Sequence, residues 1–243
     1  MRYAIFSDVH SNLEALESVL SACKKESIDQ YFCVGDLVGY AANPKECVDI
    51  VKSIASMTVA GNHDWASVEL AGVEQFNPDA KAAVLWTRKI LSQEHAVYLE
   101  SLKLGFINSD FTLVHGTLDN PREFSYLSSG YMAWETFSLM QTDICFVGHT
   151  HVPGVYVKSS KDTVEYREKI AEVKIEPGKK YIINVGSVGQ PRDGNPEASY
   201  CLYDADSSQA MIKRVEYDFK SASQKIFDAG LPKALGYRLS MGR

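Results

Sequence analysis

The sequence has no CxxC pair, no internal repeat, no low-complexity tract, and no apolar run approaching the ~18 residues of a membrane-spanning helix. Zinc-ribbon, solenoid and helical membrane classes are excluded by those absences. Its five cysteines, Cys23, Cys33, Cys47, Cys145 and Cys201, form an odd set, and most sit in apolar stretches such as Tyr31-Phe32-Cys33-Val34. They are expected as reduced core thiols in a reducing compartment, not as a disulfide framework. Positive charge is also scarce: 25 basic against 31 acidic residues give a formal charge of −6. A field of that sign does not capture long nucleic acid or anionic membrane, although a local cationic site is compatible with it. Residues 1–8 reach Asp8 too early for a secretory apolar region, so the expected location is the cytoplasm. Hydrophobic residues at 45% and charged residues at 23% match ordinary globular usage and set aside disordered and fibrous chains. The length of 243 residues predicts one domain spanning 1–243.

What is present is a set of short β-like runs that end in polar clusters. Runs 3–6, 31–34, 57–60, 111–114 and 144–147 lead into Ser7-Asp8, Gly35-Asp36, Gly61-Asn62, His115 and Gly148-His149. Between them, Leu13, Leu16, Val19, Leu20 and Cys23 have helical spacing, with Ser11 and Glu14 placed as a capping box. Pro44 suits the first turn of a second helix, and Asn77-Pro78 opens a long third one reaching towards Leu102. This alternation predicts an α/β first half. After Gly148, runs 155–157, 180–185, 199–203 and 211–217 predict an antiparallel or mixed sheet, with little helix before Lys220. The segment 158–180 carries both charge signs and no core pattern, so a solvated hairpin or lid is expected.

Five of the six histidines, His10, His63, His115, His149 and His151, stand just after a β-like run, in company with Asp8, Asp36 and Asn62. Only His95 lies in a helical stretch, where it is expected to face solvent. Residues beyond the carboxyl ends of strands in an α/β sheet converge on one crevice, so donors distant in sequence become neighbours. Imidazole with carboxylate, and no cysteine, suits Mn, Fe or Zn. Asp8, His10, Asp36, Asn62, His115, His149 and His151 make seven donors, more than the three or four of one catalytic metal. Two metals sharing a carboxylate fit that count; such pairs sit ~3.5 to 4 Å apart and activate a bridging hydroxide while neutralising phosphoryl oxygens. The residual local charge of about +1 would attract an anionic ester against the protein's overall sign.

In order along the chain, Asp8-x-His10, Gly35-Asp36, Gly61-Asn62-His63-Asp64, His115-Gly116 and Gly148-His149-Thr150-His151 resemble the calcineurin-like metallophosphoesterase superfamily. The resemblance implies a four-layer αββα sandwich, two mixed β-sheets flanked by helices. It also implies that Asp8, His10, Asp36 and His151 hold one metal while Asp36, Asn62, His115 and His149 hold the other. Asp36 would be the bridge. His63 is not a metal ligand in that pattern; it binds the phosphoryl group or protonates the leaving oxygen, or else only buttresses its loop. Asp64 either orients His63 or caps the next helix.

The protein Ser/Thr phosphatases continue the second block as Gly-Asp-x-x-Asp-Arg-Gly, whereas this chain reads Gly35-Asp36-Leu37-Val38-Gly39-Tyr40-Ala41. The missing acid and arginine weaken a phosphoprotein phosphatase reading, and the form resembles a bacterial phosphodiesterase-like branch. A substitute cation is Arg192, in the Gly-rich turn 184–194, which either binds phosphate or pairs with Asp193 or solvent. Tyr40, Asn43, Trp65 and Phe124 are candidates for lining the entrance. The expected activity is hydrolysis of a phosphodiester or phosphoanhydride in a small ester or nucleotide. The alternatives are a dinucleoside polyphosphate or nucleotide hydrolase, a phosphomonoesterase, and a catalytically silent scaffold.

Overall fold

Strand β1 (Arg2–Phe6), helix α1 (Leu13–Cys23), β2 (Gln30–Cys33), α2 (Pro44–Ile54) and β3 (Ala55–Thr58) open the chain of the computed structural model, which describes residues 1–159, 161, 163–168 and 170–243. Helices α3 (Asn62–Ser67), α4 (Pro78–Ile90) and α5 (Gln93–Ser101) follow. Next come β4 (Gly105–Ile107), β5 (Thr112–Val114), α6 (Gly130–Leu139) and β6 (Ile144–Val147). The strand-rich remainder contains β7 (Gly154–Lys158), β8 (Val164–Glu168), β9 (Glu172–Lys174), β10 (Lys180–Asn184), β11 (Ala198–Asp204) and β12 (Gln209–Val215), then α7 (Phe219–Asp228) and α8 (Lys233–Tyr237). Among the described residues two six-stranded sheets result, ordered β3-β2-β1-β11-β12-β9 and β4-β5-β6-β10-β7-β8. Each is mixed: β1, β2 and β3 run parallel, as do β5, β6 and β10, and the flanking strands are antiparallel.

The period of two along each strand builds the layers. In β1, Tyr3 and Ile5 enter the core between the sheets, where they join Phe32, Phe111, Phe146 and Ile183, while Ala4 and Phe6 face Leu16 and Val19 of α1 and Val48 and Val51 of α2. On the far side, Cys145, Val147 and Ile182 face Ala133 and Phe137 of α6. The four-layer αββα arrangement follows. Tyr3, Phe32, Phe111 and Phe146 make edge-to-face contacts at the centre, and fully burying such side chains contributes about 1.5–3 kcal/mol each. All five cysteines are buried free thiols, and burial pushes each thiol pKa up, which leaves them inert. Among the described residues, no helix is long and apolar enough to cross a membrane.

Four local expectations are corrected. Asn12, not Ser11, caps α1, accepting from Ala15 N–H at 3.2 Å. Ser11 has φ +57° and sits outside the helix, because the Asn12 side chain is also tied to Gly189 O at 2.8 Å. The long helix after Pro78 is two helices: Leu91 turns extended, and Ser92 starts a new cap for α5. His95 does not face solvent but lies between Ser92 and Asp49 of α2. The charged segment 158–180 is only partly solvated: β8 forms an outer hairpin with β7, whereas β9 joins the first sheet and buries Val173 in the inter-sheet core. Residues 160, 162 and 169 of that segment lie outside the described residues.

Candidate metal centre and substrate cleft

The turns that follow the parallel strands of both sheets meet at one edge of the sandwich. Asp8 and His10 follow β1, Asp36 follows β2, Asn62 opens α3 after β3, His115 follows β5, and His149 and His151 follow β6. All are buried except Asn62, which is half-buried. Asp8, His10, Asp36, His149 and His151 have φ between 49° and 67°, a left-handed region that costs side chains strain and clusters at functional sites. Hydrogen bonds between loops over-determine it. Asp8 N–H donates to Gly35 O (2.9 Å), His10 N–H to Asp36 O (3.0 Å), and His149 N–H to Asp8 Oδ2 (3.0 Å).

Two donor groups form. In one, His151 Nε2 lies 3.2 Å from Asp8 Oδ1 and 3.1 Å from His10 Nε2. In the other, His115 Nε2 lies 3.3 Å from Asp36 Oδ2 and 3.1 Å from His149 Nδ1. Asp36 Oδ2 is also 3.6 Å from His10 Nε2, so it stands between the groups. Three imidazoles are held from behind: Nδ1 of His10, His115 and His151 lies 3.0, 2.7 and 2.6 Å from the carbonyl oxygens of Val38, Val34 and Gln190. A carbonyl only accepts, so each Nδ1 carries a proton and each Nε2 is turned into the site.

Among the described residues, three buried oxygens at this site, Asp8 Oδ1, Asp36 Oδ2 and Asn62 Oδ1, accept no hydrogen bond. Leaving a buried acceptor unpaired costs about 1–3 kcal/mol, more when it is charged. Burial resists ionisation of Asp8 and Asp36, but the surrounding histidines outweigh it and hold both carboxyls well below their ordinary range. Burial likewise opposes charge on His115, yet Asp36 and Asp8 raise it to about 9. Burial lowers His149 to about 3 and His151 to about 4, with His115 and Arg192 respectively adding to the effect. Ionised carboxylates, orphaned oxygens and inward imidazole nitrogens are the donor set of a metal centre, and the residues fit one.

Asp64 does not orient His63. Its Oδ2 accepts from Asp36 N–H (2.8 Å) and Gly61 N–H (3.0 Å), and its Oδ1 from Leu37 N–H (2.8 Å) and Val38 N–H (3.3 Å). It therefore caps α3 at Gly61 and clamps the turn that carries Asp36. Gly61 allows the close approach, since a Cβ there would stand 2.1 Å from Asp36 Oδ1. Burial and the Asp36 charge push Asp64 up to about 7, against the pull of its N–H donors. Asp64→Asn places an amide NH₂ against backbone donors and is expected to cost about 3 kcal/mol of stability. Urea unfolding checks this, and an unchanged midpoint would remove the clamp.

His63 N–H donates to Asp36 Oδ1 at 2.8 Å. Its ring lies among His10, Tyr40 and Phe76 at centroid distances of 4.8, 4.5 and 4.8 Å, and its Nδ1 is buried with no partner among the described residues. Burial holds its pKa well below the ordinary histidine value. Arg192 is not paired with Asp193, whose carboxylate instead binds Arg214. Its Nη2 donates to Tyr40 Oη (3.1 Å) and Gln190 Oε1 (3.2 Å), while its Nε is buried with no partner among the described residues.

A cleft of about 700 Å³ adjoins the site, lined by Asn62, His63 and His149 with Tyr40, Phe76 and Asn77, and by Arg122, Phe124 and Tyr126 from the opposite segment. Tyr40 and Phe124 thus line it as expected, but Asn43 and Trp65 do not. Asn43 precedes α2, and Trp65 is buried against Phe124 with the Arg122 guanidinium 5.0 Å from its ring. Phe76, Arg122 and Tyr126 carry no motif that would single them out in the sequence.

Comparison with known proteins agrees with this geometry. An uncharacterized protein of Methanocaldococcus jannaschii is 40% identical over 244 residues, covering 99% of this chain and 98% of that protein. A metallophosphoesterase from Sphaerobacter thermophilus, known from its crystal structure, is 40% identical with a TM-score of 0.89, over 100% of this chain and 99% of that one. A hypothetical protein of Pyrococcus horikoshii shares the fold at a TM-score of 0.79 and 19% identity, over 100% of this chain and 98% of that one. The family model of the calcineurin-like phosphoesterase superfamily domain matches residues 1–208. The chain therefore belongs to the calcineurin-like phosphoesterase superfamily, and it is a metallophosphoesterase, a hydrolase of phosphoester bonds.

Proposed function

We propose that the whole chain, 1–243, acts as one metallophosphoesterase unit that hydrolyses a phosphodiester of a small molecule with the help of two metal ions. Asp8, His10, Asp36 and His151 would hold one; Asp36, Asn62, His115 and His149 would hold the other. The observation that carries this reading is the shared position of Asp36 Oδ2, unpaired, 3.6 Å from His10 Nε2 and 3.3 Å from His115 Nε2. Mn, Fe or Zn suits the oxygen and nitrogen donors. When bound, the pair supplies Lewis-acid charge and a water nucleophile activated at neutral pH.

The chain's own residues do the rest. Asp64 holds the Asp36 turn in place through the four backbone N–H groups it accepts from. His63 stands beside the donors to bind the phosphoryl oxygens or, once a bound anionic ester offsets the burial that keeps its ring neutral, to deliver a proton to the leaving oxygen. Arg192, tethered to the Tyr40 hydroxyl, adds the cation that an anionic ester needs. A diester is favoured over a phosphoprotein because Gly39-Tyr40 stands where the protein phosphatases carry an acid and an arginine.

The test is turnover of bis-p-nitrophenyl phosphate against p-nitrophenyl phosphate by metal-stripped protein refilled with Mn. Diester turnover above monoester turnover, with two Mn per chain, is expected. Monoester preference would overturn the diester assignment, and fewer than two Mn would overturn the pair.

A further inference from the structure

The four histidines that face the donor groups are not held alike. His10, His115 and His151 each have a backbone carbonyl behind Nδ1 and turn Nε2 inward. His149 is reversed: its Nδ1 faces His115 Nε2 at 3.1 Å, and among the described residues its Nε2 makes no hydrogen bond. An imidazole without such a bond is only weakly restricted about χ2, a broad and roughly two-fold torsion.

What covers His149 is Tyr126. The two rings are stacked with centroids 3.9 Å apart and planes 16° from parallel. Rotation about χ2 would sweep the His149 ring through the space that the Tyr126 ring occupies. Tyr126 is half-exposed, with 50% of its surface accessible, and its segment lies on the cleft wall. Its solvent-facing position makes core packing a poor reason for an aromatic residue there, whereas the parallel stack gives one.

We infer that Tyr126 is a positioning residue for the metal centre: its ring takes the place of the missing carbonyl partner and keeps His149 Nδ1 aimed at the Asp36–His115 group. This rests on the paired-metal reading above. Only the ring face is required, so the hydroxyl is dispensable for this role.

The test is Mn titration of the metal-stripped full-length chain by calorimetry, for the wild type, Tyr126→Ala and Tyr126→Phe. Wild type should bind two Mn. Tyr126→Ala should weaken one of the two sites about 10-fold, at the lower end of what outer partners of metal ligands contribute, and leave the other unchanged. Tyr126→Phe should restore wild-type binding. The thermal midpoint of the stripped protein should not move in either variant, which separates aiming of His149 from a general structural role. Two Mn bound with unaltered affinity in Tyr126→Ala would overturn the role of Tyr126 while leaving the metal pair standing. A higher KM for the diester with unaltered Mn affinity would do the same, and would make Tyr126 a substrate contact. Equal loss in Tyr126→Phe and Tyr126→Ala would also overturn it, by assigning the effect to the hydroxyl. Fewer than two Mn in the wild type would overturn the paired-metal reading and this inference with it.

Discussion

Asp36→Asn is expected to lower kcat by about 10³-fold, the several kcal/mol that metal charge supplies to a phosphoryl transition state. The side chain has two separable tasks. Oδ1 accepts from His63 N–H at 2.8 Å, and an asparagine oxygen can keep that bond. Oδ2 has no hydrogen-bond partner among the described residues and lies 3.3 Å from His115 Nε2 and 3.6 Å from His10 Nε2. An amide nitrogen in that place removes the negative charge and cannot donate a lone pair to a cation. Because the backbone at Asp36 is held separately by Asp64 at 2.8 Å, the turn should persist and the variant should fold. Metal content per chain and kcat, with circular dichroism as the folding control, decide the matter. Near wild-type turnover in a folded variant would remove Asp36 from its shared position.

His63→Ala is expected to cost 10²- to 10⁴-fold in kcat, the usual contribution of a positioned acid, with metal content unchanged. The ring is packed rather than hydrogen-bonded, and Nδ1 is enclosed; a Cβ on Gly39 would stand 2.4 Å from it. Nε2 is then the nitrogen available towards the cleft that His63 lines. The leaving group separates its two roles. A p-nitrophenoxide departs without protonation, so a missing acid should hurt an alkyl diester far more than bis-p-nitrophenyl phosphate. Equal losses on both would assign His63 to phosphoryl binding instead. His63 also lies close enough to His10 and Asp36 to be a third ligand group, within 4.8 Å; loss of metal in the variant would make it one.

That the candidate donors come together was legible because each sits immediately beyond an apolar run, and parallel strands deliver their carboxyl ends to one edge. Asp8, Asp36 and His115 needed no more than that. The capping of α1 by Asn12 was less legible, since Ser11 and Glu14 also fit a capping box and only the tie from Asn12 to Gly189, 177 residues away, chooses between them. The break at Leu91-Ser92 was hidden for a related reason: apolar spacing continues across it, and the signal was the serine cap alone. Asp64 was half legible. Capping was visible in Gly61-Asn62-His63-Asp64, but its grip on the N–H groups of residues 36 to 38 was not, because backbone donors leave no mark in a sequence.

By itself the sequence determined the α/β alternation, the buried free thiols, the order along the chain of the candidate donors, and the absence of the arginine that protein phosphatases use. Those depend on side-chain chemistry and on local periodicity, both of which are written residue by residue. Tertiary structure alone decided which nitrogen of each imidazole faces inward, that Arg192 is tethered to Tyr40 while Asp193 goes to Arg214, and that Phe76, Arg122 and Tyr126 wall the cleft. The physical reason is that these are contacts between loops from different strands, set by how two sheets stack and by main-chain carbonyls and amides that every residue possesses alike.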